Sequence, residues 1–284
     1  MGILNVTPDS FSGDGLLADG SPADGVPADG VPADVDPVSV AVATGERMVA
    51  EGADLLDVGG ESTRPGHAPV TPDEERRRVV PVIAALRAAL PDVPLSIDTT
   101  KPAVAEAALA AGADLINDVW GVGDDDSLAR LAADHGVPLI VMHNRAEPRY
   151  TSLLPEVIAD LQRAIERALR LGVSWDDLIV DPGFGFGKTA AHNLVLMREL
   201  ASLQVLGRPI LLGTSRKSTL GKVLDLPADQ RLEATLATTA LGVAAGVDLV
   251  RVHDVLPNVR TARMADAIVR GTLPRTAGME GDQP

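Results

Sequence analysis

The sequence predicts a single-domain, closed (β/α)8 barrel, of the kind called a TIM barrel, and three observations lead to that α/β fold class. From residue 54 onward, short apolar runs alternate with longer amphipathic segments, and one further apolar run opens the chain. The apolar runs are rich in Val, Ile and Leu, which is typical of parallel strands covered by helices. Eight strand–helix units within 284 residues favour a closed barrel over an open doubly wound sheet.

Each predicted strand is a short apolar run that ends in a polar or turn residue. The runs lie at residues 2–6, 55–59, 94–98, 115–118, 138–143, 178–181, 209–213 and 249–253. Because the first strand begins almost at residue 1, we expect that a short lead-in segment is missing from this end. We expect the barrel domain to cover residues 1–272 and a disordered tail to follow at 273–284.

The segments between the runs carry helix signals in each unit. Thr71 followed by Glu74 is typical of a helix start, because the Thr side chain accepts from the backbone N–H three residues later. Three helices end at a glycine that stops the periodic pattern, and they are predicted at 101–111, 126–135 and 153–171. Strand and helix are therefore expected to alternate strictly.

Residues 18–37 interrupt this pattern with a five-residue unit, ADGSP, ADGVP, ADGVP, ADVDP. Proline and glycine in every unit prevent a helix and leave no face that could pack. We interpret the segment as a long flexible insertion in the first βα loop. The alternative, an Asp-rich cation site, lacks the ligand spacing of a calcium loop.

Composition excludes several classes of function. The net charge of −15 argues against a nucleic-acid surface, although it permits an anionic substrate held by local arginines. The absence of cysteine excludes disulfides, thiolate catalysis and Cys-ligated zinc. No apolar run is long enough to span a membrane, and no signal peptide opens the chain. We therefore expect a cytoplasmic protein with no membrane partner.

Polar residues stand at the ends of all eight predicted strands, where barrel enzymes carry their chemistry. Barrel interiors prefer Val and Ile, so eight polar ends predict a site rather than a set of structural hydrogen bonds. The residues are Asn5, Asp57, Asp98, Asn117, His143, Asp181, Thr214 with Ser215, and Arg251 with His253.

These residues fall into two chemical groups. Arg64, Arg251 and His253 suit a phosphate or diphosphate, since arginine binds such anions through two parallel hydrogen bonds. Asp98, Asn117 and Asp181 suit the amino-pyrimidine edge of a flat heterocycle, and Lys217 could donate to the same ring. The predicted site holds a neutral ring at one end and an anion at the other.

The stretch DPGFGFGKT, residues 181–189, looks at first like a phosphate-binding loop. The P-loop template needs glycine at Pro182, and the dinucleotide template needs glycine at Lys188, so both fail by one residue. We interpret the glycines as places where the backbone turns sharply and approaches a flat ligand. Lys188 and Thr189 are predicted to begin the next helix, with Thr189 as its N-cap.

Seven motifs resemble the dihydropteroate synthase family, in the order found there. They are GILNVTPDSFS, DVGGESTRPG, SIDT, NDVWG, DPGFGFGKT, GTSRKS and RVHDV, and they span residues 2 to about 255. The resemblance implies a transferase of folate biosynthesis. It would condense 6-hydroxymethyl-7,8-dihydropterin diphosphate with 4-aminobenzoate, by a dissociative displacement, to give 7,8-dihydropteroate and diphosphate.

The resemblance also implies a role for each matching residue. The implied catalytic residues are Asp98, Lys217, Arg251 and Asn5. Those that would bind the pterin are Asp98, Asn117, Asp181, Lys217, Met142 and Phe186. Thr63, Arg64, Arg251 and His253 would bind the diphosphate, while Phe186, Lys217 and Ser218 would border the aminobenzoate slot, where sulfonamides bind in the family. Asp9 and Phe11 would close a mobile loop over the site.

The family also implies a cofactor and an assembly. Asn5 would be a ligand of Mg²⁺ on the diphosphate, and the protein would form a homodimer. The repeat at 18–37 replaces the usual short glycine-rich run of the first loop, which leaves open a non-catalytic paralogue. The other alternative is a barrel that transfers methyl groups from methyltetrahydrofolate to a corrinoid. That class shares the pterin residues but has no use for Arg64, Arg251 and His253.

Overall fold

The computed structural model describes residues 1–7, 36–61, 69–121, 123 and 125–271. Within those residues the chain forms eight strands, all in parallel pairs. They are β1 (Gly2–Asn5), β2 (Leu56–Gly59), β3 (Leu95–Asp98), β4 (Leu115–Asp118), β5 (Leu139–Met142), β6 (Leu178–Asp181), β7 (Leu211–Leu212) and β8 (Leu249–Val250).

The described residues also form nine α-helices. They are α1 (Pro37–Ala50), α2 (Pro72–Ala89), α3 (Pro102–Ala110), α4 (Ser127–His135), α5 (Leu153–Arg170), α6 (Ala190–Arg198), α7 (Ser218–Leu224), α8 (Leu232–Ala244) and α9 (Val255–Arg270). No helix among these residues is long and apolar enough to cross a membrane.

The eight strands close into a ring. Strands β1 to β6 pair in chain order, and β7 pairs with β8. A bridge between Val180 and Ile210 joins β6 to the start of β7, and a bridge between Gly2 and Val252 joins β8 to β1. At the second seam, the Val252 N–H donates to the Met1 carbonyl at 3.0 Å. These bridges confirm the predicted barrel.

Apolar side chains fill the barrel and the layer around it. Met1, Leu115, Ile140 and Leu211 form a small buried cluster of strand residues, while a much larger cluster lies between strands and helices. Each fully buried Leu or Ile contributes about 1.5–3 kcal/mol. The core therefore comes almost entirely from aliphatic residues, as the scarcity of aromatics requires.

Local signals set the helix ends that the sequence predicted. The Thr71 Oγ1 accepts from the Glu74 N–H at 3.3 Å and starts α2. The Thr189 Oγ1 accepts from the His192 N–H at 3.1 Å and starts α6. Gly136, with φ of 62°, ends α4. The structure confirms these boundaries. They were predictable because each depends on contacts within one helical turn.

Strict alternation is wrong between β7 and β8, where two helices occur. α7 ends at Asp225, whose φ of 55° is left-handed, and a 3-10 turn at Ala228–Gln230 leads into α8. The buried Arg231 side chain holds this connection, since it donates to the carbonyls of Leu226 at 3.0 Å and Arg216 at 2.9 Å. The extra turn separates one predicted helical segment into two.

The first helix begins inside the range 18–37 that was predicted as an insertion. Asp36 is the N-cap of α1, and its carboxylate accepts from the N–H groups of Val38 and Ser39 at 3.2 and 3.3 Å. Pro37 is the first helical residue, a position that tolerates proline because its missing N–H would be unpaired there. Residues 18–35 and the predicted tail, 273–284, lie outside the described residues.

Candidate active site

Four of the polar residues predicted at strand ends, Asn5, Asp98, Asn117 and Asp181, are the last or next-to-last residues of their strands. In the parallel register, Asn5 pairs with Gly59, Gly59 with Asp98, and Asp98 with Asn117. On the far side of β5, Met142 pairs with Asp181. Since the carboxyl ends of parallel strands meet at one mouth, these side chains surround a common space.

Arg251 connects two carboxylates at the centre of this mouth. Its Nε donates to Asp57 Oδ2 at 2.5 Å, and its Nη2 donates to Asp98 Oδ2 at 2.7 Å. Burial raises the pKa of Asp98 to about 7, against the opposing effect of the Arg251 charge. Asp98 therefore titrates near neutral pH.

Asp57 was predicted at a strand end, but the sequence assigned it no role in the site. Its side chain is fully buried two residues before the end of β2. Its Oδ2 accepts from Asn117 Nδ2 at 3.2 Å as well as from Arg251, so it joins the two halves of the site. The signal available was its position, because Asp57 and the strand-end Gly59 point to the same side of β2.

Lys217 occupies the opposite wall. Its Nζ donates to the Phe184 carbonyl and lies 4.3 Å from the centre of the Phe186 ring. A Cβ placed on Gly213 would be 3.9 Å from each of Asp181 Oδ2, Lys217 Nζ and Arg251 Cβ. Three charged residues from three strand ends thus converge around a glycine that leaves space between them.

The same surroundings change how these groups titrate. Burial lowers the pKa of Lys217 to about 8, and the Asp181 carboxylate opposes that shift. Burial raises the pKa of Asp181, against Lys217 and the Gly183 N–H, which donates to Asp181 Oδ1 at 2.7 Å. The pKa of the Lys217 ammonium is thus lowered and the pKa of the Asp181 carboxylate is raised, and a polar ring between them can hydrogen-bond to both.

The glycine loop between β6 and α6 needs glycine at two positions. Gly183 has φ of 69°, and a Cβ there would overlap the backbone oxygen of His143. Gly187 has φ of 54°, and its Cβ would overlap the backbone of Arg145. The sharp turns expected of these glycines are present, and both glycines lie close to the backbone of the loop that follows β5.

The prediction that Lys188 begins a helix is wrong. Thr189 is the N-cap and Ala190 the first helical residue, as the Thr189 prediction requires. The Lys188 side chain instead turns back beneath its own loop, where its Nζ lies 2.8 Å from His143 Nδ1. Lys188 therefore precedes α6 and is not part of it.

His253, which was predicted for the anion, contacts Ser215, and the neighbouring Arg216 has a different partner. Ser215 Oγ lies 2.9 Å from His253 Nδ1 and accepts from the His253 N–H at 3.2 Å, which fixes the imidazole. Arg216 is bound to Asp254 through Nε and Nη2 at 3.0 and 2.6 Å. Arg216 is thus committed to an ion pair of its own.

Some of the remaining predicted residues are described by the structure and some are not. Met142 is buried, Phe186 is partly buried, and Ser218 is exposed as the first residue of α7. Four others lie outside the described residues: Asp9, Phe11, Thr63 and Arg64.

Asn5 has an exposed side chain at the mouth, near Gly59. No group of three or more His, Cys, Asp or Glu residues in the described part of the chain is placed to hold a metal. A single amide oxygen fits a Mg²⁺ that takes its other ligands from a diphosphate and water, because Mg²⁺ keeps several such ligands in phosphate sites.

The family pattern described as "pterin binding enzyme" matches residues 33–253. The chain belongs to this family. That range contains the strand-end carboxylates, Lys217 and Arg251, and the resemblance found from the motifs is confirmed.

Two relatives with the name dihydropteroate synthase are similar over nearly the whole chain. The chain is 48% identical to the dihydropteroate synthase of Clostridium beijerinckii, over 95% of this chain and 94% of the relative. It is 45% identical to that of Bacillus subtilis, over 95% and 88% of the two chains.

Solved structures agree. A dihydropteroate synthase from Clostridium difficile, crystallised in the presence of pteroic acid, superposes with a TM-score of 0.86 at 45% identity and covers 95% of this chain and 96% of that one. The enzyme from Xanthomonas albilineans in complex with 7,8-dihydropteroate gives a TM-score of 0.81 at 39% identity, over 96% and 94% of the chains.

Proposed function

We propose that this chain is a dihydropteroate synthase of folate biosynthesis. It condenses 6-hydroxymethyl-7,8-dihydropterin diphosphate with 4-aminobenzoate, and the products are 7,8-dihydropteroate and diphosphate. The observation that carries the proposal is the convergence of Asp98, Asp181, Lys217 and Arg251 at one barrel mouth. The chain is also nearly half identical to proteins of that name.

The pterin occupies the space between Asp98, Asn117, Asp181 and Lys217. Asp98 Oδ1 is buried and has no hydrogen-bond partner among the described residues. An unpaired buried acceptor costs about 1–3 kcal/mol, and a ring N–H would satisfy it. Lys217 donates to the ring, while Met142 and Phe186 provide apolar walls.

The diphosphate lies on the Arg251 side, with His253, Thr63 and Arg64. Arginine suits this leaving group because its guanidinium carries five N–H donors, of which Arg251 uses only two for Asp57 and Asp98. Asn5 is the residue placed to hold Mg²⁺, which when bound neutralises charge on the diphosphate. Arg251 is already oriented by its bonds to Asp57 and Asp98.

The residues present favour cleavage of the C–O bond before the amine attacks. The Asp98 carboxylate faces the carbon on which positive charge develops, and the Arg251 cation and the His253 imidazole stabilise the departing diphosphate. The neutral amine of 4-aminobenzoate then forms the C–N bond and loses one proton to solvent. No base beside the amine is required. Phe186, Lys217 and Ser218 border its slot, and Asp9 and Phe11 belong to the loop that closes over it.

The working form that we propose is a cytoplasmic homodimer. Three large apolar side chains on α8 and α9, Leu241, Met264 and Ile268, are each at least 60% exposed, which supports an apolar contact on these helices. Light scattering coupled to gel filtration tests this assembly, and a monomer at all concentrations would contradict it.

Diphosphate release tests the proposed reaction. Purified protein receives dihydropterin diphosphate and 4-aminobenzoate, with Mg²⁺ in one series and with a chelator in the other. We expect release that requires all three components. Pterin binding without release would support the non-catalytic paralogue instead, and methyl transfer to a corrinoid would support the methyltransferase. Either result would overturn the assignment.

A further inference from the structure

The lysine of the DPGFGFGKT stretch is the feature that the proposed chemistry does not use. Lys188 Nζ lies 2.8 Å from His143 Nδ1 and donates to the carbonyls of Gly183 and Phe186, each at 3.1 Å. Two of these acceptors are in the glycine loop itself, residues 183–187, and the third is at the end of β5. The ammonium therefore joins both ends of the loop to the barrel.

These contacts use the ammonium completely. A lysine ammonium has three protons and no acceptor, and three acceptors surround Lys188. His143 can accept at Nδ1 because its Nε2 faces Asp160 Oδ2 at 3.1 Å, where the ring N–H belongs. Arg145 in turn holds Asp160 through Nε and Nη2, at 3.1 and 2.8 Å. Asp160 and Arg145, both partly buried, thus set the tautomer of the buried His143 ring that accepts from the lysine.

The loop that Lys188 holds is a wall of the site. The Phe184 carbonyl accepts from Lys217, and the Phe186 ring lies against the Lys217 ammonium. The Gly185 N–H donates to Asn193 Oδ1 at 2.9 Å, which fixes the outer side of the loop to α6. A shift of residues 183–187 would move both contacts that orient Lys217.

We propose that Lys188 is a positioning residue, whose ammonium holds residues 183–187 in the form that presents Phe186 to the aminobenzoate slot and orients Lys217. The inference rests on the proposed function for the identity of the ligands. Lys188 touches neither substrate, so its effect passes through the loop.

Charge pairing does not fix the position of the Lys188 amine. Burial lowers its pKa to about 7, while the Asp181 carboxylate acts in the opposite direction. The group shares no ion pair with a carboxylate in the described structure, and its fixed partners are a ring nitrogen and two carbonyls. Directional hydrogen bonds rather than charge pairing therefore set its place.

The first test replaces Lys188 with Met, which keeps the length of the side chain and removes its three donors. Lys222→Met, on the exposed side of α7, is the matched control. We expect the KM for 4-aminobenzoate to rise about tenfold or more in Lys188→Met and to stay within about twofold in the control. A role limited to overall stability would lower the melting temperature and the active fraction but leave KM unchanged, and that outcome would overturn the inference.

A rescue experiment uses the absence of cysteine from the chain. In Lys188→Cys, the only thiol attacks 2-bromoethylamine and displaces bromide, forming a side chain with the length and amine of lysine. The reaction is carried out in mild denaturant, followed by refolding. We expect the untreated variant to share the high KM and the aminoethylated one to return to within about threefold of the unaltered protein. Equal KM values before and after treatment would contradict the positioning role.

Hydrogen exchange separates this inference from the proposed reaction. The Phe186 N–H donates to Gly183 at 3.1 Å and the Gly185 N–H to Asn193, so both are protected in the held loop. Peptides covering 183–187 should exchange at least about tenfold faster in Lys188→Met than in the unaltered protein, with no change over α2. This measurement needs no turnover. Unchanged exchange would refute the inference even if the synthase reaction is present, and faster exchange would support it even if that reaction is absent.

Discussion

Asp57 gives the sharpest test of how the site is built, through the substitution Asp57→Asn. The carboxylate is fully buried, and its Oδ2 accepts from Arg251 at 2.5 Å and from Asn117 at 3.2 Å. Its Oδ1 has no partner among the described residues. Asparagine keeps the shape and one acceptor, but it removes the charge and places an N–H₂ group where the structure offers no acceptor.

The two effects set the expected cost. Changing a charge-assisted hydrogen bond into a neutral one loses about 1 kcal/mol, and an unpaired buried donor costs about 1–3 kcal/mol. Arg251 keeps its bond to Asp98, so the loss stays below the figure for a buried charge left entirely alone. We therefore expect the free energy of unfolding to fall by about 2–4 kcal/mol. For a chain of this size, that loss lowers the melting temperature by roughly 5–15 °C.

Thermal unfolding followed by circular dichroism at neutral pH measures this effect. Asp54→Asn, at an exposed position three residues earlier, is the control and should change stability by less than about 0.5 kcal/mol. If Asp57→Asn melts within about 2 °C of the unaltered protein, the Asp57–Arg251 pair does not stabilise the barrel and the reasoning fails.

Three further predictions follow from the same geometry. Gly183→Ala places a Cβ against the His143 carbonyl and should lower the free energy of unfolding by more than about 4 kcal/mol. Gly136→Ala meets no atom within 4 Å and should lower it by only about 1 kcal/mol, and the melting temperatures of the two variants measure the difference. Lys217 loses its proton as pH rises through about 8, so the KM for the pterin substrate should rise above that pH. A flat profile to about pH 9 would refute the assigned contact. Lys217→Ala should weaken binding of the free pterin, and Arg251→Ala chiefly that of inorganic diphosphate; calorimetry should show unequal losses.

The fold was predictable because its signals are local. Apolar runs, the cap at Thr71 and the glycine at 136 each act within a few residues, and each appears in the structure where the sequence placed it. The division of α7 from α8 was missed because Asp225 takes a left-handed conformation that glycine or asparagine usually signals.

The site residues at the strand ends were predictable from the sequence, whereas the roles of residues deeper in the barrel were not. Asp98, Asn117 and Asp181 stand at the carboxyl ends of apolar runs, where barrel topology alone brings them together. The roles of Asp57 and Lys188 depend on partners up to 194 residues away in the chain, which no local pattern encodes. The sequence placed Asp57 at a strand end and Lys188 after the glycine loop, but only the closed barrel shows what each one contacts.

The pairs made by Arg251 also bear on the order in which the molecule forms. Its partners, Asp57 and Asp98, lie 194 and 153 residues earlier in the chain. Contacts across such separations form late, because the chain loses loop entropy before it gains them. Until β8 docks, the two carboxyl groups lack the guanidinium that pairs with them, and burying a polar group without a partner is costly. The last strand thus supplies the counter-charge that makes the earlier strands compatible, so partly assembled barrels are unstable and folding becomes cooperative across the whole ring.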